Sequence, residues 1–172
     1  RHVEVQVLRD TFGTTKILGL RDCTVQRNNQ KIIEESGSAI LSDDLEQSIY
    51  RHTSAIADEI DYVGAGTIEF IHDLKGHEIY FMEMNTRLQV EHGVTEMVTG
   101  KDLVELQILI AGGRELPFRQ TDIKRSGHAI EVRIYPEIWD AWREEFILQS
   151  GPLAAVTLPG DTDGDIRIDS AL

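Results

Sequence analysis

The sequence predicts an α+β chain of antiparallel strands joined by turns, with helices inserted between them. Three observations carry this: strict alternation over residues 2–7, a helical period over 43–60, and two further strand-like runs on either side of Lys75-Gly76. At the start Val3, Val5 and Val7 fall on one side and His2, Glu4 and Gln6 on the other, which describes a half-buried strand with a polar working face. Gly13 opens a second strand through Lys16–Leu20, and a third segment carries Gln26, Lys31, Ile32 and Ile33. From 43 to 60 the period changes: Leu45, Ile49, Ile56 and Ile60 recur at helical spacing, and Ser42-Asp43-Asp44 supplies the N-terminal cap and charge.

Gly64-Ala65-Gly66 punctuates, and the runs Thr67–His72 and Glu78–Asn85 form a hairpin about Lys75-Gly76. Residues Thr95–Ala111 read as helical, interrupted at Gly100-Lys101-Asp102 and ended by Gly112-Gly113. A polar connector after Pro117 leads to a strand at His128–Tyr135 and to short strand candidates at Leu153–Leu158 and Asp165–Asp169. A domain boundary is expected near residue 120, dividing the chain into 1–120 and 121–172. Arg1 leads at once into a strand and no tail follows Ile166–Leu172, so the chain is expected to be a segment of a longer protein.

Seventeen basic against 30 acidic residues give a net charge of −13, and 41% of residues are apolar. A negative field without a basic patch argues against nucleic acid and anionic membrane surfaces, so a phosphorylated ligand needs local cations or metal ions. No apolar run approaches the roughly 18 residues of a membrane span, and no secretory signal opens the chain. The single cysteine, Cys23, has no internal disulfide partner and is expected to pack in the core.

The hairpin's second strand and the loop after it carry the chemistry. In an extended backbone, Glu83, Asn85, Arg87, Gln89 and Glu91 share one face at roughly 7 Å intervals. A three-residue loop centred on Gly76 pairs Glu69 with Glu83, and directly opposed Cβ atoms stand about 4.5–5.5 Å apart. Two carboxylates so placed repel unless a cation intervenes, and with Asn85 beside them the oxygen donors suit Mg²⁺. Two competing readings are a solvated strand edge and the acid pair of a retaining glycosidase. The polar row lacks the Lys/Glu/Thr filler of an ordinary surface, and an aromatic content of 6% is poor for a sugar cleft.

The run Glu83-Met84-Asn85-Thr86-Arg87-Leu88-Gln89-Val90-Glu91-His92, followed by Val94-Thr95-Glu96, closely resembles the signature of biotin carboxylases. Carbamoyl-phosphate synthetases share Glu-Met-Asn and then diverge. Further matches are Arg1 to Gln6, Arg21-Asp22-Cys23, Gln26-Arg27, Gln30-Lys31, Gly64 to Thr67 with Glu69-Phe70, Gly127 to Glu131, and Asp165 to Ser170. The resemblance implies the C-terminal part of an ATP-grasp domain over 1–120, with its lid missing, followed by the start of the biotin carboxylase C-terminal domain over 121–172. It implies ATP- and bicarbonate-dependent carboxylation of biotin through carboxyphosphate, as in an acyl-CoA carboxylase, and an isolated chain without turnover.

The same resemblance implies that Glu69, Glu83 and Asn85 hold Mg²⁺ or Mn²⁺, and that Lys31, Arg87, Gln89 and Val90 hold bicarbonate with Glu91 as its general base. Arg167 would stabilise the biotin enolate. His2, Gln26, Asn29, Lys31 and Ile71 would line the ATP site, with Asn29 standing where the family usually has histidine. The expected partners are a biotin carrier domain and a carboxyltransferase, in a homodimer or larger assembly of cytoplasm or mitochondrial matrix. Alternatives are another ATP-grasp ligase and a non-catalytic module. The stretch 136–151 departs from the family's proline-rich pattern. If Glu91 acts on the same phosphate as Glu83, the loop between them must bend, because an extended chain carries Glu91 roughly 25 Å away.

Overall fold

Strict alternation becomes β1 (His2–Arg9), the third position in a six-stranded antiparallel sheet of order β5-β4-β1-β2-β3-β6. The structure, a computed structural model, describes residues 1–76, 78–153, 155–159 and 166–170. Its other strands in this sheet are β2 (Thr15–Arg27), β3 (Gln30–Ser36), β4 (Gly64–Asp73), β5 (Glu78–Asn85) and β6 (Ile130–Val132). Strand β2 runs well past the expected Leu20. Its turn into β3 is Asn28-Asn29, both at positive φ, a conformation that asparagine tolerates and that suits a two-residue hairpin.

The sheet has two unlike faces. Val3, Val5, Val7, Leu20, Ile68 and Phe70 are buried on one, against α1 (Asp43–Glu59). Ser42 caps α1 by accepting from the Leu45 N–H at 3.3 Å, and Ile49, Thr53 and Ala57 are its buried stripe. Ile60 does not join that stripe; it is the C-cap and lies exposed. The opposite face carries Glu4 and Gln6, both with no solvent exposure, flanked by α2 (His92–Thr99) and by α3 (Leu103–Ala111). Leu8, Leu18 and Ala65 meet Leu103, Leu106 and Ile110 in a second apolar cluster there. The break between α2 and α3 falls at Gly100, left-handed at φ 63°, and Asp102 caps α3 by accepting from the Glu105 N–H at 2.8 Å.

The hairpin reaches its expected pairing by another route. Asp73 pairs with Glu78 and Phe70 with Phe81, which leaves 74–77 as a four-residue loop; His77 lies outside the described residues. A bulge at Met82 then shifts the register, so that Glu69 pairs with Glu83. The bulge keeps Phe81 edge-on to Phe70 at 6.3 Å on the core face, while Glu83 turns to the polar face.

Two units are separately compact, Arg1–Arg133 and Ile134–Leu172. Residues 121–133 pack with the first, since β6 pairs with β3. The expected strand at 128–135 is thereby cut to three residues. In the second unit, β7 (Glu137–Asp140) and β8 (Glu145–Leu148) form a hairpin with Trp139 against Phe146, in a stretch read from sequence only as a departure. The described residues of 153–158 and 166–169 form no strand there; Ala154 and Asp165 lie outside the described residues. Among the described residues no helix is long and apolar enough to cross a membrane.

Candidate active site

Burying charge on a sheet face is costly unless it is paired, and the buried charges Glu4, Arg21, Glu34, Glu69 and Glu91 of this sheet's polar face each lie against a charge of opposite sign. Arg21 on β2, with no solvent exposure, stands opposite Glu4 in the β1–β2 ladder and donates from Nε to Glu4 Oε1 at 2.5 Å. Its other nitrogens reach Gln6 Oε1 (2.9 Å), Thr95 Oγ1 on α2 (2.8 Å), Thr67 Oγ1 (3.3 Å) and Gln89 Oε1 (3.4 Å). Burial alone lowers the guanidinium's proton affinity, but Glu4 and Glu91 raise it above the ordinary arginine value. Arg21 is thus a fixed cation tying three strands, a helix and the signature loop together.

Lys31 is the second fixed cation. Its Nζ contacts Glu4 Oε2 at 2.5 Å, Glu69 Oε1 at 2.9 Å and Glu91 Oε1 at 2.7 Å. Burial lowers its proton affinity; the surrounding carboxylates outweigh that and raise it above the usual lysine range. The expected bend is therefore present: β5 ends at Asn85, residues 86–91 leave the ladder, and Glu91 returns to the ammonium that Glu69 binds. Glu91 is the N-cap of α2, yet its side chain makes no cap hydrogen bond and faces Lys31 and Arg133 instead. Burial favours its neutral form, but the charges of Lys31 and Arg21 hold it below the ordinary carboxylate value. His92 donates from Nδ1 to the Gln89 carbonyl oxygen at 2.8 Å and so braces the bend.

Glu69 and Glu83 converge as the register requires, and Asn85 Nδ2 donates to both, at 2.8 and 3.3 Å. Glu69 also accepts from Gln89 Nε2 at 2.8 Å and meets His2 Nε2 at 2.6 Å. Burial raises its pKa, and the hydrogen bonds from His2, Lys31 and Gln89 with the Lys31 charge overcome this, bringing it to about 2. A donor group thus stands where the two carboxylates meet, which is where a cation would be favoured; rotating the Asn85 amide would present its oxygen instead. Glu69, Glu83 and Asn85 fit a hard divalent ion. Two denser groups, His2–Glu4–Glu69 and Glu4–Cys23–Glu91, have ligand atoms within 4.8 Å of one another. Glu4, common to both, is already paired with Arg21 and Lys31, and burial pushes the Cys23 thiol up, so a metal ion is disfavoured in both.

These groups line one cleft of about 700 Å³. His2, Gln26, Asn29, Lys31, Glu69, Ile71, Glu83, Asn85, Arg87, Gln89, Val90 and Glu91 all border it. At the His2 end, the ring's Nδ1 accepts from Gln26 Nε2 at 2.6 Å, and Nε2 lies 2.6 Å from Glu69 Oε2. Ile71 and Met82 make that end apolar, and Arg87 and Val90 are exposed at its rim. Arg167 belongs to the second unit, where it pairs with Asp169 at 2.9 Å.

Sequence reasoning missed Arg133 and left Glu4 and Arg21 without roles. Arg133 Nη2 lies 2.8 Å from Glu91 Oε2 and 2.7 Å from Glu34 Oε1. It lies two residues beyond the run Gly127 to Glu131 that supported the resemblance, and nothing in its local sequence separates it from a surface arginine. Glu4 lay within the polar alternation of β1, and there the signal was present.

The carbamoyl-phosphate synthase L chain, ATP-binding domain model matches residues 1–119. Biotin carboxylase 2 of Bacillus subtilis (strain 168) is 52% identical over 159 residues, covering 92% of this chain and 35% of that protein. Among solved structures, a biotin carboxylase–β,γ-ATP complex from Campylobacter jejuni is 48% identical with a TM-score of 0.78, covering 82% of this chain and 31% of that one. The biotin carboxylase domain dimer of Hydrogenobacter thermophilus 2-oxoglutarate carboxylase, in complex with MgADP, ADP and bicarbonate, is 48% identical with a TM-score of 0.75, covering 79% and 30%. The chain thus spans about a third of the length of these proteins. By the family match and these likenesses, the chain belongs to the carbamoyl-phosphate synthase L chain ATP-binding domain family and, within it, to the biotin carboxylases.

Proposed function

We propose that this segment forms the metal- and bicarbonate-binding side of an ATP-dependent ligase that carboxylates biotin. The observation that carries the reading is the Lys31 ammonium, which holds the metal-side carboxylate Glu69 and the base Glu91 on one nitrogen. An anion drawn to Lys31 meets an ionised carboxylate on one side and the phosphate end of the cleft on the other. On this reading bicarbonate lies among Lys31, Arg87, Gln89 and the Val90 backbone and gives its proton to Glu91 while attacking the terminal phosphate of ATP. ADP leaves, and the carboxyphosphate formed passes its carboxyl group to the biotin ureido nitrogen, releasing phosphate, which takes up the ureido proton. Proton removal at a positioned base is worth about 10²–10⁴-fold, and fixed cations stabilise the charge that accumulates.

Glu69, Glu83 and Asn85 would hold Mg²⁺ or Mn²⁺, which when bound neutralises phosphate charge. His2, Gln26, Asn29 and Ile71 would receive the nucleoside. Arg133 supplies a fixed cation beside Glu91; Arg167, a residue of the second unit, is read as the group that would stabilise the biotin enolate. Residues 1–120 are read as ATP-grasp core and 121–172 as the start of the next domain, in a protein that works with a biotin carrier domain and a carboxyltransferase as a dimer or larger assembly. The MgADP and bicarbonate in the Hydrogenobacter structure and the ATP complex of the Campylobacter enzyme support the ligand set. The test is incorporation of labelled bicarbonate into free biotin by a full-length carboxylase carrying this segment. ATP cleavage indifferent to both bicarbonate and biotin would remove the assignment.

A further inference from the structure

One buried carboxylate at the edge of the cleft has no part in the chemistry above. Glu34 on β3 has no solvent exposure and stands directly across the ladder from Glu131 on β6. Like charges so opposed in a sheet repel, and what lies with them is the Arg133 guanidinium: Nη2 is 2.7 Å from Glu34, and Nε is 3.8 Å from Glu131. The same Nη2 is 2.8 Å from Glu91. One nitrogen is therefore shared between a carboxylate that never reaches the cleft and the carboxylate read as the base.

The charged side chains linked here are Glu34 and Lys31 on β3, Glu131 on β6 with Arg133 just beyond its end, Glu91 at the start of α2, Glu4 and Arg21 on β1 and β2, and Glu69 on β4. Five carboxylates face three cations, so Glu34 competes for positive charge that Glu91 would otherwise take. Lys31 already takes Glu91 Oε1, and Arg133 donates to Oε2 at 2.8 Å; an unopposed guanidinium meets a carboxylate with two parallel hydrogen bonds, a geometry that would add a second bond to Glu91 and depress its basicity further.

We infer that Glu34, supported by Glu131, is a positioning residue that limits the Arg133 guanidinium to a single hydrogen bond with Glu91, keeping that carboxylate basic enough to take the bicarbonate proton. The inference rests on the function proposed above. It depends on two arrangements: the β3–β6 register that sets Glu34 beside Glu131, and the contact of Glu34 with Arg133. Burial and the neighbouring carboxylates raise both Glu34 and Glu131, the latter to about 7, as expected where negative charge is in excess.

The experiment uses a full-length carboxylase carrying this segment and follows bicarbonate-dependent ATP cleavage against pH. Glu34→Gln keeps the shape and an acceptor for Arg133 but removes the competing charge. Its kcat should fall about tenfold, since a positioned base contributes 10²–10⁴-fold. The acidic limb should move to lower pH, and KM for Mg·ATP should stay within about threefold. In Glu34→Gln/Arg133→Met the limb should return to its position in Arg133→Met alone, because the two residues act on Glu91 through one contact. Glu131→Gln, which leaves Glu34 in place, should move the limb the same way by less and serves if Glu34→Gln does not fold. A fall in kcat with an unmoved limb would make Glu34 merely structural and overturn the inference, as would additive effects of Glu34 and Arg133. If Glu91→Gln, assayed beside them, leaves bicarbonate-dependent cleavage intact, the proposed function fails instead.

Discussion

Glu83 and Glu91 lie in one short stretch of chain and are distinguished by what surrounds them. Glu83 is exposed at the rim beside Asn85, whereas Glu91 is buried between Lys31 and Arg133. Glu91→Gln in a full-length carboxylase should therefore abolish biotin carboxylation while leaving the affinity for a non-hydrolysable Mg·ATP analogue within about threefold. Glu83→Gln should weaken that affinity itself. Calorimetric titration beside a fixed-carbonate assay separates the two, and equal losses of affinity would move Glu91 to the metal site. The same surroundings set opposite pH dependences of stability. Glu69, held at about 2 against an ordinary 4.5, contributes stability that is present above pH 4.5 and lost as pH falls toward 2. Glu69→Gln should accordingly flatten the acid branch of a denaturation profile. Glu131 has the other sign: with a pKa raised to about 7, its ionisation costs stability as pH rises from 4.5 through 7. Glu131→Gln should stabilise the fold against denaturant more at pH 8.5 than at pH 5, by roughly 2.5 kcal/mol; equal gains at both would show that the carboxylate is solvated.

At the level of elements, the hairpin shows how a correct pairing can follow from an incorrect turn. Symmetry about Gly76 placed Glu69 opposite Glu83, and the structure reaches that pair with a four-residue loop compensated by the Met82 bulge. Bulges leave little mark on sequence, because an extra residue in a strand looks like any other. Deleting Met82 should restore regular alternation, with Phe81 and Met84 still on the core face and Glu83 and Asn85 still on the polar face. The expected outcome is a cooperative unfolding transition within a few degrees of the parent, with weaker nucleotide binding through loss of one cleft wall. Collapse of the fold would show that the bulge determines the register. The helices were more legible: Ser42 caps where its side chain predicts, and the interruption at Gly100-Lys101-Asp102 is where Gly100 turns left-handed and Asp102 caps the next helix. The strand endings were less so. β2 continues through Arg21 to Arg27 because that arginine is neutralised by Glu4 on the neighbouring strand, a contact 17 residues away.

For the whole molecule, phosphoryl transfer depends on positioning groups around the phosphates, and residues 1–172 span about a third of their relatives' length. Residues 1–172 alone should therefore bind an ATP analogue weakly and show no bicarbonate-dependent hydrolysis; turnover by this chain would mean that fewer groups suffice. The sequence by itself determined the α+β class, the caps and periods of the helices, the Glu69–Glu83 pair and the signature loop, since each depends on residues near one another in the chain or on a simple ladder. It required also that the loop after Asn85 bend if Glu91 and Glu83 act on the same phosphate. What only the tertiary structure decided is how the charges are shared. Arg21, Lys31 and Arg133 come from different parts of the chain and find their carboxylates across strands, at separations of up to 99 residues between Glu34 and Arg133. Local pattern does not encode such pairings, because a buried arginine and a surface arginine obey the same alternation. Desolvation tells them apart: on the closed face of this sheet a charge persists only where an opposite charge is brought to it.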